Sequence, residues 1–297
     1  MVELRPRRSV LYMPAANERA LEKAKTIPAD AIIFDLEDAV APDAKDAARA
    51  NAVAAASSGE YGNRELTIRC NGLDTPWGVD DLAAAAQSGA AAVVVPKVGS
   101  VKYLDEVADR LDRAGARPDM KIWAMIETPT AVFDVREIAA HWRVETLVMG
   151  TNDLARELRA ELNAPGRHPF IQHLGVALLA AREAGKVALD GVYNDIKDEA
   201  GFRAECLQGF EMGFDGKTLI HPSQVDVTNA VWSPSEADIE HARGLIAAFE
   251  AGQAQQLRHS GGVLGRDRRA ANCRINIDRD HSRRARSGAE QFHGRRP

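Results

Sequence analysis

The chain has 297 residues and a formal net charge of −5, with 45% hydrophobic and 27% charged residues, the balance of an ordinary globular protein. It has no run of the roughly 18 apolar residues that a membrane helix needs, and the first twenty residues lack the apolar core of a signal peptide. Cys70, Cys206 and Cys273 show none of the paired spacings of a zinc site or disulfide framework, so the sequence predicts a cytoplasmic protein.

Taken in chain order, short runs rich in Val, Ile and Leu alternate with helical sequence. The runs are SVLYMP from Ser9, AIIFDLED from Ala31, ELTIRCNG from Glu65, AAVVVPKV from Ala91, KIWAMIET from Lys121, ETLVMGTND from Glu145, VALDGVY from Val187 and GKTLIHP from Gly216. Their apolar character is continuous rather than alternating, which predicts strands of a parallel sheet covered on both faces. Between them NERALEKAKTI, VDDLAAAAQSGA, VKYLDEVADRLDRAGA, AVFDVREIAAHW and HLGVALLAAREAG carry apolar residues at helical spacing. Ser233, Pro234 and Glu236 read as the cap, first turn and capping-box acid of one more helix. Eight strand–helix units in residues 1–256 predict a (β/α)8 TIM barrel. A doubly wound open sheet is the alternative, but MPAANERA after the first strand is not a glycine-rich phosphate loop.

Most of these strands turn polar at their C-terminal ends, where a barrel enzyme assembles its active site. The ends carry Asp35, Glu37 and Asp38; Arg69 and Asn71; Lys97; Glu127; Asn152 and Asp153; Asp190; and His221. Each alone reads equally well as a solvated helix cap; so many titratable groups on one rim point to chemistry. Glu127 and Asp153 end adjacent strands, and with no His or Cys in either motif their ligand set is all oxygen, which suits Mg2+ rather than zinc. The alternative is a carboxylate pair neutralised by Arg69. Arg69 presents a planar fork suited to a substrate carboxylate, or to the Asp35, Glu37 and Asp38 cluster. Gly150, Thr151 and Asn152 place a small residue and a helix start at the rim, where N–H groups suit a carboxylate. Cys70 faces away from Arg69 and reads as packing. His221 reads as a pocket residue or a structural hydrogen bond, and His141 and His173 show no partner.

RSVLYMPAANERALEKA, AIIFDLEDAV, TIRCNG, VVVPKV, MIETP, MGTNDLA and FDGKTLIHPSQV together resemble the HpcH/HpaI aldolase and citrate lyase family in its CitE-like branch, in order from about Arg8 to about Gly252. GTNDLA, DGVYNDIKDEAGFRAEC and MGFDGKTLIHPSQ are most similar to its malyl-CoA thioesterases and malyl-CoA or β-methylmalyl-CoA lyases. The resemblance implies a barrel of the phosphoenolpyruvate/pyruvate-binding type, Mg2+ held by Glu127 and Asp153, and Arg69 on the substrate carboxylate. It further implies CoA as part of the substrate, an acyl-CoA or 2-oxo-acid reaction, and a homotrimer or hexamer. A citrate-lyase β-like subunit and a 2-oxo-acid aldolase are the nearest alternatives.

The resemblance stops near Gln255. Residues 257–297 hold eleven Arg, no Lys and four Asp or Glu, a net of +7 that leaves −12 for residues 1–256. An acidic body is a poor partner for nucleic acid, whose phosphates are met by Lys and Arg. The Arg-rich tail lacks periodicity and reads as disordered, where the family has a lid carrying a catalytic Asp; Asp267, in GRDRR, does not match that residue. The abrupt change is the signature of a shifted reading frame, in which case another frame of the gene encodes a lid-like segment. A native basic interaction tail on a weakly active barrel is the rival expectation.

Overall fold

A computed structural model of the protein describes residues 5–256. The described residues divide into one compact unit, Arg7–Trp232, and a second to which residues 5–6 and 233–256 belong. The Arg-rich segment 257–297 and its Asp267 and Cys273 lie outside the described residues.

The first unit runs β1 (Ser9–Pro14), α1 (Glu18–Ala24), β2 (Ala31–Asp35), α2 (Lys45–Ser57), β3 (Glu65–Arg69), α3 (Gly78–Ala86), β4 (Ala92–Val95), α4 (Val101–Arg113) and β5 (Lys121–Ile126). It continues with α5 (Pro129–Phe133), α6 (Val135–Ala140), β6 (Val144–Met149), α7 (Thr151–Leu158), α8 (Ile171–Ala184), β7 (Val187–Asp190), α9 (Glu199–Met212), β8 (Gly216–Leu219) and α10 (Gln224–Val231). The strands are parallel and close in sequence order. Val10 of β1 sits opposite Thr218 of β8, a pairing that an open doubly wound sheet would lack. The eight apolar runs are the eight strands, and the predicted (β/α)8 TIM barrel is the fold.

Alternation along each strand sorts the apolar residues into two cores. Val10, Ala31, Ile33, Ala92, Val94, Trp123, Met125, Val148 and Leu189 fill the barrel. Their neighbours Leu11, Ile32, Phe34, Val93, Ile122, Ala124, Leu147 and Ala188 point outward into the layer beneath the helices. At the N-terminal end Arg7 lies 5.2 Å from the Trp123 ring and bridges Glu65 (2.6 Å) and Glu145 (2.6 Å). Glu145 is the residue skipped where the β5–β6 register slips between Ile122 and Trp123, so a bulge supplies this carboxylate.

The helices follow the sequence pattern less closely than the strands. AVFDVREIAAHW is two short helices broken at Asp134 (φ −98°, ψ 8°). Helix α2 escapes notice because its buried stripe is Ala48, Ala52 and Ala56, which contrasts little with its exposed alanines. In the second unit α11 (Glu236–Gln256) begins two residues later than expected, at Glu236 rather than Pro234. The Asp238 N–H donates to Ser235 Oγ (3.1 Å) and the Ser235 N–H donates to Asp238 Oδ2 (3.0 Å), so Ser235 and Asp238 form the box expected of Ser233 and Glu236.

Asp190, expected at the barrel mouth with the other polar strand ends, is not there. Leu189 points inward, so Asp190 points outward, where it accepts from Arg167 Nη1 (2.7 Å) and Lys217 Nζ (3.0 Å). Lys217 also reaches Glu205 (2.7 Å), and both Asp190 and Lys217 are fully buried. Burial pushes the Asp190 carboxyl up, but Lys217 and Arg167 outweigh it and hold it below its ordinary value. Asp190→Asn is expected to cost about 3–5 kcal/mol at pH 7, because it leaves Lys217 buried without its charge partner. A depressed carboxyl stabilises above its unfolded pKa and stops doing so as pH falls through its folded one. Urea denaturation should therefore show the wild-type and Asp190→Asn curves converging below about pH 4.

Candidate active site

The same alternation delivers the rim. After Ile33 on β2, Thr67 on β3, Met125 after β5's Trp123, and Val148 on β6, the next inward positions are Asp35, Arg69, Glu127 and Gly150. Asp35 and Arg69 are opposite one another in the β2–β3 register, and both are buried. Arg69 Nε and Nη2 donate to the two Asp35 oxygens at 2.6 and 2.7 Å, a bidentate pair. The Glu37 and Ala39 N–H groups also donate to Asp35, at 2.9 and 3.2 Å. Burial alone would raise the Asp35 carboxyl; Arg69 and these N–H donors hold it below the ordinary value. The remaining corner of the fork, Nη1, faces Glu37 (2.9 Å) and exposed Asp38 (3.2 Å), and the Tyr12 ring lies 4.8 Å from the guanidinium. Two corners of the fork are thus bound to buried Asp35, and the third is shared between Glu37 and exposed Asp38.

Glu127 is almost fully buried. Its Oε1 accepts the Lys97 N–H at 2.7 Å; no hydrogen bond to Oε2 occurs among the described residues. Burial first, and then the neighbouring charges of Glu37 and Asp153, push the Glu127 carboxyl up to about 8, which the Lys97 N–H offsets only in part. Burial likewise raises Glu37 to about 6. Lys97 reaches its position with φ +49°, a left-handed conformation uncommon outside glycine. Its Nζ lies 3.5 Å from Glu37 and 3.9 Å from Asp153. Asp153, in the first turn of α7, also pairs with Arg156 at 3.0 Å.

Gly150 has a steric task beside its place at the helix start. A Cβ there would lie 2.4 Å from both Cβ and Oε2 of Glu127. Its N–H donates to the Ile126 carbonyl (3.1 Å), and the Leu154 N–H makes the first helical bond, to the Gly150 carbonyl (3.1 Å), so the N–H groups of Thr151, Asn152 and Asp153 have no helical acceptor. The Asn152 side chain is paired with Asn194 through two amide hydrogen bonds (2.8 and 3.2 Å). That partner carries no sequence signal.

The structure therefore gathers Asp35, Glu37, Asp38, Arg69, Lys97, Glu127, Gly150 and Asp153 around the barrel mouth. Tyr12 and Lys45 were missed. Tyr12 was legible as the inward residue two after Val10. Lys45 was not: it stands at the start of α2, and its ammonium donates to the Leu36 and Glu37 carbonyls and to Asn71 Oδ1 (2.7, 2.7 and 2.8 Å). Cys70 packs in the outer core as expected. His221 Nδ1 pairs with Ser223 (2.8 Å), and His141, expected to lack a partner, lies 3.3 Å from Asp105 and takes the Arg143 N–H at 3.2 Å.

The donor set fits a hard divalent cation. Its atoms are all oxygens, one carboxylate is buried with an unpartnered oxygen, and the groups that raise it are other carboxylates. Mg2+ takes one or two protein carboxylates and completes its octahedron with water and substrate oxygens.

The profile of the HpcH/HpaI aldolase/citrate lyase family matches residues 8–222. The chain belongs to that family. It is 52% identical over 258 residues to a (3S)-malyl-CoA thioesterase of Cereibacter sphaeroides, with 87% of each chain covered. It is 33% identical over 272 residues to the L-malyl-CoA/beta-methylmalyl-CoA lyase of Rhodobacter capsulatus, covering 84% of this chain and 86% of that one. Among solved structures, protein CitE of Mycobacterium tuberculosis in complex with magnesium, acetoacetate and coenzyme A superposes with a TM-score of 0.71 and 27% identity, over 93% of this chain and 99% of that one. These relatives are enzymes, and so is this chain.

A buried carboxylate crowded by like charges is a cost to the metal-free fold. Glu127→Gln keeps the shape and the acceptor for the Lys97 N–H but removes the charge. At pH 8, with EDTA present, calorimetry should find it more stable than the wild type by at least about 1 kcal/mol.

Proposed function

We propose that the chain is a Mg2+-dependent enzyme of the CoA-ester lyase/thioesterase class acting on malyl-CoA or a close analogue, and that its main reaction is hydrolysis to malate and CoA. The reading is carried by buried Glu127, directly after β5, and more open Asp153, in the first turn of α7 after β6, in the same mouth as Arg69. The 52% identity to a (3S)-malyl-CoA thioesterase favours hydrolysis. Carbon–carbon cleavage to glyoxylate and acetyl-CoA is the second reading, supported by the 33% identity to a malyl-CoA lyase.

Glu127 and Asp153 would hold Mg2+, which when bound supplies polarisation of the substrate oxygens it contacts. Arg69 offers Nη1 to the free carboxylate of the malyl group, in place of exposed Asp38, while Asp35 fixes the guanidinium plane. Thr151 and Asn152 present N–H groups at the start of α7 to an anionic oxygen. Tyr12 packs over the guanidinium and keeps water from that side. CoA enters as part of the substrate.

We infer that the enzyme works in the cytoplasm as a homotrimer or hexamer. Among the described residues no helix is long and apolar enough to cross a membrane. Val176 and Leu179 on α8 and Leu207 and Phe210 on α9 are exposed, a surface that supports self-association. We further infer that segment 257–297 stands in place of the family's lid, so that metal and substrate binding persist while proton transfer is slowed.

Incubation with (S)-malyl-CoA, with and without Mg2+, tests the reading. The expected products, formed only with Mg2+, are malate and free CoA. Glyoxylate with acetyl-CoA would move the enzyme to the lyase class, and no turnover of either kind would overturn the assignment.

A further inference from the structure

Lys97 makes two separate contacts with the carboxylates of the mouth. Its N–H holds Glu127 Oε1 at 2.7 Å, at a backbone position (φ +49°) that few non-glycine residues adopt. Its ammonium lies between Glu37 Oε1, 3.5 Å away, and Asp153 Oδ2, 3.9 Å away. Three carboxylates carried by β2, β5 and β6 segments thus converge on a single residue from the end of β4.

The two halves of that contact differ in kind. The N–H is part of the backbone and stays where the chain puts it. The ammonium distances exceed the roughly 2.7–2.9 Å of a direct charge-assisted bond, and the Lys97 side chain is 48% exposed. A compact charge on a flexible four-carbon stem can leave such a place for water at little cost. Arg69 cannot, because it is buried and clamped to Asp35. Arg156 meets only the other oxygen of Asp153, at 3.0 Å. Among the described residues, Lys97 is therefore the cation that lies between the Glu37 and Asp153 carboxylates and is free to move away.

We propose that the Lys97 ammonium is a built-in counter-cation, which screens Glu37 and Asp153 from one another before a divalent cation binds and is displaced from Asp153 when it does. The inference rests on the reading of Glu127 and Asp153 as metal ligands. It makes Lys97 a positioning residue whose charge competes with the metal, so removing that charge improves metal binding. An ordinary structural salt bridge would have the opposite effect, because its loss would loosen the ligands.

The test is calorimetric titration of the full-length protein with Mg2+, and thermal unfolding with and without it, for wild type, Lys97→Met and Lys97→Arg. Lys97→Met keeps the length of the stem and the N–H to Glu127. Two partly exposed charge contacts predict an affinity for Mg2+ raised about 3- to 10-fold. Its melting temperature should fall by a few degrees in EDTA and return to the wild-type value in saturating Mg2+. Lys97→Arg, which keeps the charge, should bind like the wild type. Wild-type binding with unchanged or weaker binding by folded Lys97→Met overturns this inference and leaves the metal site standing. A wild type that binds no Mg2+ overturns both.

Discussion

Asp35, Glu37, Asp38, Glu127 and Asp153 share one end of the barrel, and Arg69 is the guanidinium buried among them. Unscreened like charges about 4 Å apart repel by about 4 kcal/mol at the effective dielectric of a protein. The local structure follows from managing that repulsion. Arg69 gives its fork to the most buried carboxylate, Asp35, and Lys97 takes a strained backbone to bring an N–H and an ammonium to three others. Glu127, with neither a guanidinium nor an ammonium in contact, is the group pushed up to about 8. A mouth of this kind is under-neutralised by its own side chains, which is the electrostatic condition for holding a divalent cation.

The barrel supplies the precision this needs. Inward residues on adjacent parallel strands fall at matched heights, so Asp35 meets Arg69 without any loop having to fold correctly. Gly150 continues the inward series of β6 with no side chain, and the volume it leaves is where Glu127 sits. The charged residues that alternation turns outward, Asp190 and Lys217, serve the fold: with Arg167 and Glu205 they tie β7 and β8 to the chain packed outside them. The chain is 52% identical to a (3S)-malyl-CoA thioesterase and 33% identical to an L-malyl-CoA/beta-methylmalyl-CoA lyase, so it is similar to relatives named for two different reactions.

Much of this was legible in the sequence for a simple reason. Parallel strands covered on both faces are continuous apolar runs, so all eight were visible, and their polar C-terminal residues marked the mouth. Parity within each run already separated Tyr12, which was overlooked, from Asp190, which was wrongly placed in the mouth. Other features depend on contacts between distant segments and leave no local pattern. The Asn152–Asn194 pair, the three acceptors of Lys45 and the Arg7–Glu65–Glu145 floor are of this kind. Helix α2 was lost because alanine serves on both its faces, and Ser235 displaced the expected cap because two Ser–x–x–acid frames overlap there.

Glu127 and Asp153 are proposed to form one divalent-cation site together. Mn2+ titration followed by electron paramagnetic resonance, on wild type, Glu127→Gln, Asp153→Asn and the double variant, tests it directly. A shared site should appear as one Mn2+ per chain in the wild type, weakened at least tenfold by either substitution, with the double variant little worse than the weaker single one, as for ligands of one ion. Wild-type affinity in both single variants would contradict it.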